Sequence, residues 1–194
     1  MGSYVIPAGR MSFPSVFKPR LNALSNKMEY TYDHLFDKNE DLKEFEAKLM
    51  EAAIEKHGPK EDWPDKFIWP VKDQGTKVKK KNKKIVKDEK GKPVLLDGYV
   101  AGAKFITLKS TKKPQVVNGK LEAITEDSDE LYAGCRVRAS VSIYAYDNKA
   151  NGVNAGLVNI QKVADGPRLG GKTSADEDFV AVETDDDENI DDLS

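Results

Sequence analysis

The stretch CRVRASVSIYAYD, Cys135 to Asp147, sets two arginines and two tyrosines at alternate positions. Arg136, Arg138, Ser140, Ser142, Tyr144 and Tyr146 fall on one side of an extended chain. Cys135, Val137, Ala139, Val141, Ile143 and Ala145 fall on the other. Successive side chains of a strand point to opposite faces, so this is a strand with one apolar face. Guanidinium groups attract phosphates, and phenol rings offer π-faces on which unpaired bases stack. Stacking contributes about 1–3 kcal/mol per base and tolerates any base. Tyrosines covering a helix or a second copy would show the same pattern, and this strand alone does not separate the two readings.

Other chemistry is thinly represented. GPRLGGKT, Gly166 to Thr173, matches the phosphate-loop pattern G-x-x-x-x-G-K-[ST]. That mechanism needs a following helix whose N-terminus faces the phosphates. The residues that follow, SADEDFVAVETDDD, are acidic and lack a helical apolar period, so the match is read as a Gly-rich exit from the last strand. Cys135 lies on the apolar face, where a thiol packs as a small hydrophobe. One cysteine and two histidines, His34 and His57, are too few for a structural zinc site. No acid–base pair stands out, so neither catalysis, a cofactor nor a metal is expected.

The net charge of −2 hides an asymmetry. Thr173 to Ser194 holds ten carboxylates and no Lys or Arg, which leaves the first 172 residues with 31 basic against 23 acidic side chains. A basic body attracts polyanions, while an acidic, apolar-poor tail reads as solvated and disordered. Within the body, Thr76 to Lys92 carries nine lysines against two acids. There is no run of 18 uncharged apolar residues and no secretory signal pattern, and a lone cysteine suits a reducing compartment, so a cytoplasmic protein is expected.

The elements that must position these groups are mostly strands. Arg10 to Arg20 contains Pro14 and Pro19 and reads as an irregular or edge strand. Met28 to Phe36 alternates aromatic and polar residues. Leu42, Phe45, Leu49 and Ala53 have the spacing of one buried helix face, with Asn39 as the expected N-cap and Gly58–Pro59 as the stop. Phe67 to Pro70 reads as the start of a strand, and the lysine run as a pair of strands or a long loop turning at Asn82. Ala101 to Lys109 puts Phe105, Thr107 and Lys109 on one face and Lys104, Ile106 and Leu108 on the other. Lys113 to Val117 is a short strand, and Gly152 to Val163 pairs with the Arg/Tyr strand as a hairpin. The fold class expected is mainly β with one helix. Five or so principal strands with one helix between early strands resemble the OB barrel, here with an extended Lys-rich hairpin.

GRMSFPSVFKPR, KPQVV, YAGCRVRASVSIYAYDN and GVNAGLVNIQKVADGPRLGG together resemble the tailed-phage family of single-stranded DNA-binding proteins. The likeness covers most of residues 4 to 171 and is most specific from Tyr132 to Gly171. It implies an OB-fold DNA-binding domain over 1–172 and a disordered acidic tail over 173–194 that tempers binding or recruits replication and recombination proteins. It also implies sequence-independent binding during phage DNA replication and recombination, in the cytoplasm of the infected bacterium. The stacking residues expected from alternation are Tyr144, Tyr146 and Phe105, with Trp69 and Tyr99 as further aromatics. The expected cations are Arg136, Arg138, Lys104 and Lys109 together with Lys79, Lys80, Lys81, Lys83 and Lys84 of the lysine run. The expected partner is single-stranded DNA, with room left for a homodimer. The rival reading is a non-catalytic virion structural or assembly protein.

Overall fold

Alternation of apolar and polar residues runs through most of the chain and produces strands wherever it is sustained. A computed structural model describes residues 2–170. Its elements are β1 (Tyr4–Val5), β2 (Gly9–Asn22), β3 (Lys27–Leu35), α1 (Lys43–His57), β4 (Lys72–Asp73), β5 (Lys80–Lys81), β6 (Lys84–Ile85), β7 (Lys104–Ser110), β8 (Gln115–Val117), β9 (Arg136–Tyr146) and β10 (Gly152–Ala164). The acidic segment that the sequence marks as a tail lies outside the described residues.

Five of these strands close a barrel. β2 pairs antiparallel with β3, β3 with β7, β10 with β9, and β9 with β2. The remaining seam, β7 with β10, is parallel. β1, β4 and β8 extend the rim by short pairings. Of the two readings its prolines offered, β2 is the irregular strand and not the edge strand, since it pairs with β3 on one side and β9 on the other. The two prolines are accommodated because the β2–β3 ladder shifts register between Ser12 and Ser15 and again between Ser15 and Arg20. Those are the places where a missing N–H costs no ladder bond.

Val137, Ala139 and Val141 on the inward face of β9, with Cys135 just before it, are wholly buried with Val16, Tyr32, Ile106, Leu108, Val153, Ala155, Leu157 and Ile160. α1 closes one side of this core with Phe45, Leu49 and Ala53, each fully buried. Burial of each larger side chain contributes about 1.5–3 kcal/mol. The helix starts at Lys43, with Leu42 in the cap position and Asp41 accepting the Lys43 N–H at 3.0 Å. Asn39 is not the cap, because Asp37 to Glu40 form a turn closed by Glu40 N–H to the Asp37 carbonyl. Gly58, at φ 77°, ends the helix as expected. Phe67 to Pro70 is not a strand; it contributes one bridge, Ile68 to Gly152, and the next strand begins at Lys72.

The lysine run is a folded arm. β5 and β6 form its tip around Asn82 and Lys83, both in the left-handed region that such a two-residue turn requires. The return segment bonds back along the outgoing one, through Lys79 N–H to the Val94 carbonyl and Leu96 N–H to the Lys77 carbonyl. At the base, Leu95, Leu96 and Tyr99 pack with Leu35, Phe105 and Leu169 in a second small apolar cluster on the outside of the barrel.

Candidate nucleic-acid interface

The outer face of the barrel is crossed by a row of register partners, Ser142–Gly156–Lys109–Thr31–Ser15, one residue from each of β9, β10, β7, β3 and β2. Tyr144 and Tyr146 extend this face at the β9 end. Tyr144 is 45% exposed, and its ring centroid lies 6.3 Å from that of Tyr146. Two glycines of β10 make room for them. A Cβ at Gly156 would sit 3.4 Å from the Tyr144 ring, and one at Gly152 would sit 2.7 Å from the Tyr146 hydroxyl. Both rings therefore lie down across the neighbouring strand rather than standing off it.

Beside Tyr144 a cavity of about 500 Å³ is lined by Lys27 and Glu29 of β3, Lys109 of β7, Ser142 of β9 and Asn154 of β10. Lys109 is held only loosely, 3.9 Å from Glu29. Further toward β2 a second cavity of about 370 Å³ joins Arg20, Thr31, Asp33, Lys77 and Thr107 to the ring of Phe13. Asp33 is buried there, and it accepts from Tyr99 Oη at 2.7 Å, Lys77 Nζ at 2.8 Å and Thr107 Oγ1 at 2.5 Å. Lys77 and Tyr99 are the two ends of the arm, so one carboxylate clamps both ends to the barrel. Gln74, also buried, reinforces the base by donating to the Phe36 and Lys104 carbonyls and accepting the Val100 N–H.

The expected cations separate into three groups, with Arg138 apart from them. Lys80, Lys81, Lys83 and Lys84 stand exposed at the arm tip, with no carboxylate within ion-pair distance among the described residues. Lys104 and Lys109 lie 3.7 and 3.9 Å from Asp73 and Glu29, loose enough to be drawn to a phosphate. Arg136 and Lys79 are engaged: Arg136 bonds Asp37 with both terminal nitrogens, at 2.7 and 3.1 Å, and Lys79 lies 2.7 Å from Asp97. The Arg136 hydrogen bond holds the Asp37 carboxyl below the usual carboxylate range, with burial opposing it in part. Arg138 is exposed and donates Nε–H to Gln161 at 2.7 Å. It precedes Tyr144 by six residues on β9, about 20 Å along the strand, so the two do not form one local site.

Two of the expected aromatics are corrected by the fold. Phe105 is 2% exposed and Tyr99 6% exposed, packed edge to face at 6.0 Å beneath the arm, so neither presents a ring for stacking. Alternation placed Phe105 on the outer side of β7 correctly, but the arm folds back and covers that end of the face. Trp69 is half-buried against the main core. Phe13, Arg20 and Lys27 line the face and were not singled out in the sequence. The bulge that exposes Phe13 and the hairpin that carries Arg20 and Lys27 leave no periodic signal.

The described part of GPRLGGKT is a strap against the barrel. Gly166 N–H donates to Tyr132 Oη and Leu169 N–H to the Ala133 carbonyl, so two of the loop's donors are already used. Lys172 and Thr173 lie outside the described residues.

Comparisons with known proteins agree with this architecture. The family described as "Enterobacter phage Enc34, ssDNA-binding protein" matches residues 3–190. Protein p50 of Acyrthosiphon pisum secondary endosymbiont phage 1 is 29% identical over 172 residues, covering 88% of each chain. The single-stranded DNA-binding protein of bacteriophage Enc34, solved in complex with ssDNA, superposes with a TM-score of 0.65 at 19% identity, over 87% of this chain and 90% of that one. The single-stranded DNA-binding protein gp2.5 of bacteriophage T7 superposes at 0.58 with 12% identity, over 90% and 98%. The five-stranded barrel is thus the OB fold of these phage proteins.

Proposed function

The chain belongs to the Enc34 ssDNA-binding protein family, and from that premise we propose that it holds single-stranded DNA across the outer face of its barrel, without reading sequence, in phage DNA replication and recombination. The observation that carries this is the pair of tyrosine rings laid on Gly152 and Gly156 beside Lys27 and Lys109. Rings lying along a sheet stack on any base, and lysines draw the phosphates. The face between the β2–β3 and β9–β10 loops is also where OB barrels take oligonucleotides. One chain supplies every residue of this path, so binding does not call for a second copy.

The role is binding rather than catalysis, exercised in the cytoplasm of the infected host. The domain ends near residue 172, and the acidic segment 173–194 acts as an internal competitor for the basic face or as a handle for replication and recombination proteins. Its ten carboxylates support that reading.

A gel-shift comparison of single-stranded DNA, duplex and RNA at several salt concentrations tests the proposal. Single-stranded DNA is expected to bind in preference to duplex. Its log affinity should fall with log salt at about −0.7 per phosphate neutralised. Equal binding of duplex, or a flat salt response, would remove the proposal.

A further inference from the structure

Phe13 occupies an unusual position. Its φ is +48°, in the left-handed region, although it is neither Gly nor Asn and is followed by proline. Bulky residues rarely hold that conformation, and a residue before proline is pressed toward extended backbone instead. Burial does not account for it, since the side chain is 50% exposed. Strained, exposed residues of this kind cluster where a side chain must be aimed at something. The strain sits where the β2–β3 ladder shifts register, between Ser12 and Ser15, which turns the ring out of the sheet.

The ring is also braced. It tilts against Tyr99 with centroids 6.4 Å apart, and the Tyr99 hydroxyl is fixed to buried Asp33 at 2.7 Å. On one side of Phe13 lies the cavity with Arg20, Thr31, Lys77 and Thr107. On the other, a cavity of about 350 Å³ separates the barrel from the arm, lined by Pro14, Leu96, Ala133 and Leu169 together with the ion pair of Lys79 and Asp97. That volume falls in the range of small-ligand sites, roughly 300–1,000 Å³. An apolar slot with a ring on one wall, and with Arg20 and Lys77 in the cavity on that ring's other side, matches a nucleobase with its phosphates.

We propose that Phe13 is a second base-stacking platform, at the opposite end of the outer face from Tyr144, and that the slot between barrel and arm accepts a nucleobase of the same strand. The inference rests on the reading that the chain binds single-stranded DNA. Along the row of register partners four strand spacings lead from β9, which carries Tyr144, to β2, which carries Phe13, a path of about 19 Å at roughly 4.8 Å per spacing. A strand crossing it passes Lys109 and Thr31 and then reaches Lys77 and Arg20. The arm is thereby part of the groove wall, held in place by the Asp33 clamp.

The test uses the full chain and an oligothymidylate bearing 5-iodouracil. Ultraviolet crosslinking and peptide mapping should place an adduct on Phe13 as well as on Tyr144. Phe13→Ala should weaken binding roughly tenfold or more, Phe13→Trp should retain it, and Tyr144→Ala serves as the reference. Phe13→Gly relaxes the backbone, so it should lose affinity while keeping its melting temperature. It decides the matter should Phe13→Ala fail to fold. Wild-type affinity in Phe13→Gly and Phe13→Ala, alongside weakened Tyr144→Ala and adducts on Tyr144 alone, would overturn the proposal and leave DNA binding standing. Absence of binding by the wild-type chain would overturn both.

Discussion

His34 shows how firmly single side chains are committed inside the barrel. It is fully buried between two partners, with Nε2 3.0 Å from the Pro7 carbonyl and Nδ1 3.0 Å from Tyr32 Oη. A carbonyl only accepts, so Nε2 carries the proton and Nδ1 takes the phenol's hydrogen bond. Burial then lowers the pKa from 6.5 to about 4, with Arg136 adding to the effect and the Pro7 bond opposing it. The unfolded chain takes up a proton below pH 6.5 that the folded chain refuses until about pH 4. Stability is therefore complete above that window and lost as pH falls through it, by about 2 kcal/mol between pH 7 and pH 5. Denaturant titrations at the two pH values measure this. In His34→Gln, which is less stable throughout, the drop over the same interval should largely vanish; an unchanged drop would assign it to other groups. Tyr144 and Tyr146 illustrate the opposite commitment, to the surface. Their types and alternation were legible in CRVRASVSIYAYD, but the glycines beneath them became meaningful only once the β9–β10 register set Tyr146 against Gly152 and Ser142 against Gly156.

At the scale of elements the arm is the least expected part. Nine lysines between Thr76 and Lys92 announce a polyanion partner. The clamp that orients them, Lys77 and Tyr99 on Asp33, joins residues that are 44 and 66 positions apart in the chain. The same clamp buries Phe105 and Tyr99, which is why an alternation argument that correctly chose the outer side of β7 still failed to choose exposed rings. Replacing Lys80, Lys81, Lys83 and Lys84 together by Gln should weaken single-strand binding. It should also flatten the salt dependence by about 0.7 for each phosphate that the tip neutralises. The tip packs on nothing in the core, so thermal melting should not move. An unchanged salt slope in this variant would place the arm tip off the DNA path.

For the whole molecule the decisive feature is the division of charge. A body with 31 Lys and Arg against 23 Asp and Glu is joined to a segment with ten carboxylates. The last described residues of the body, Leu169 and Gly170, line the cavity beside Phe13. The described chain therefore ends beside the proposed groove. Removing residues 173–194 should tighten single-strand binding, most at low salt, where the competition between tail and DNA is least screened. Equal affinity for both forms in a fluorescence titration would leave the tail only a recruiting role.

The chain's pattern alone determined the strand faces, the buried helix stripe of Phe45, Leu49 and Ala53, the basic body and the acidic end, because these depend on local period and on counting charges. The tertiary structure decided which outward residues stay in contact with solvent and which meet one another. Phe13 reaches the face through a bulge, Phe105 is hidden beneath the arm, and Arg136 is consumed by Asp37. Each outcome depends on a meeting of residues far apart in the chain. Periodicity reports only the side of an element a residue takes and carries no information about what covers that side.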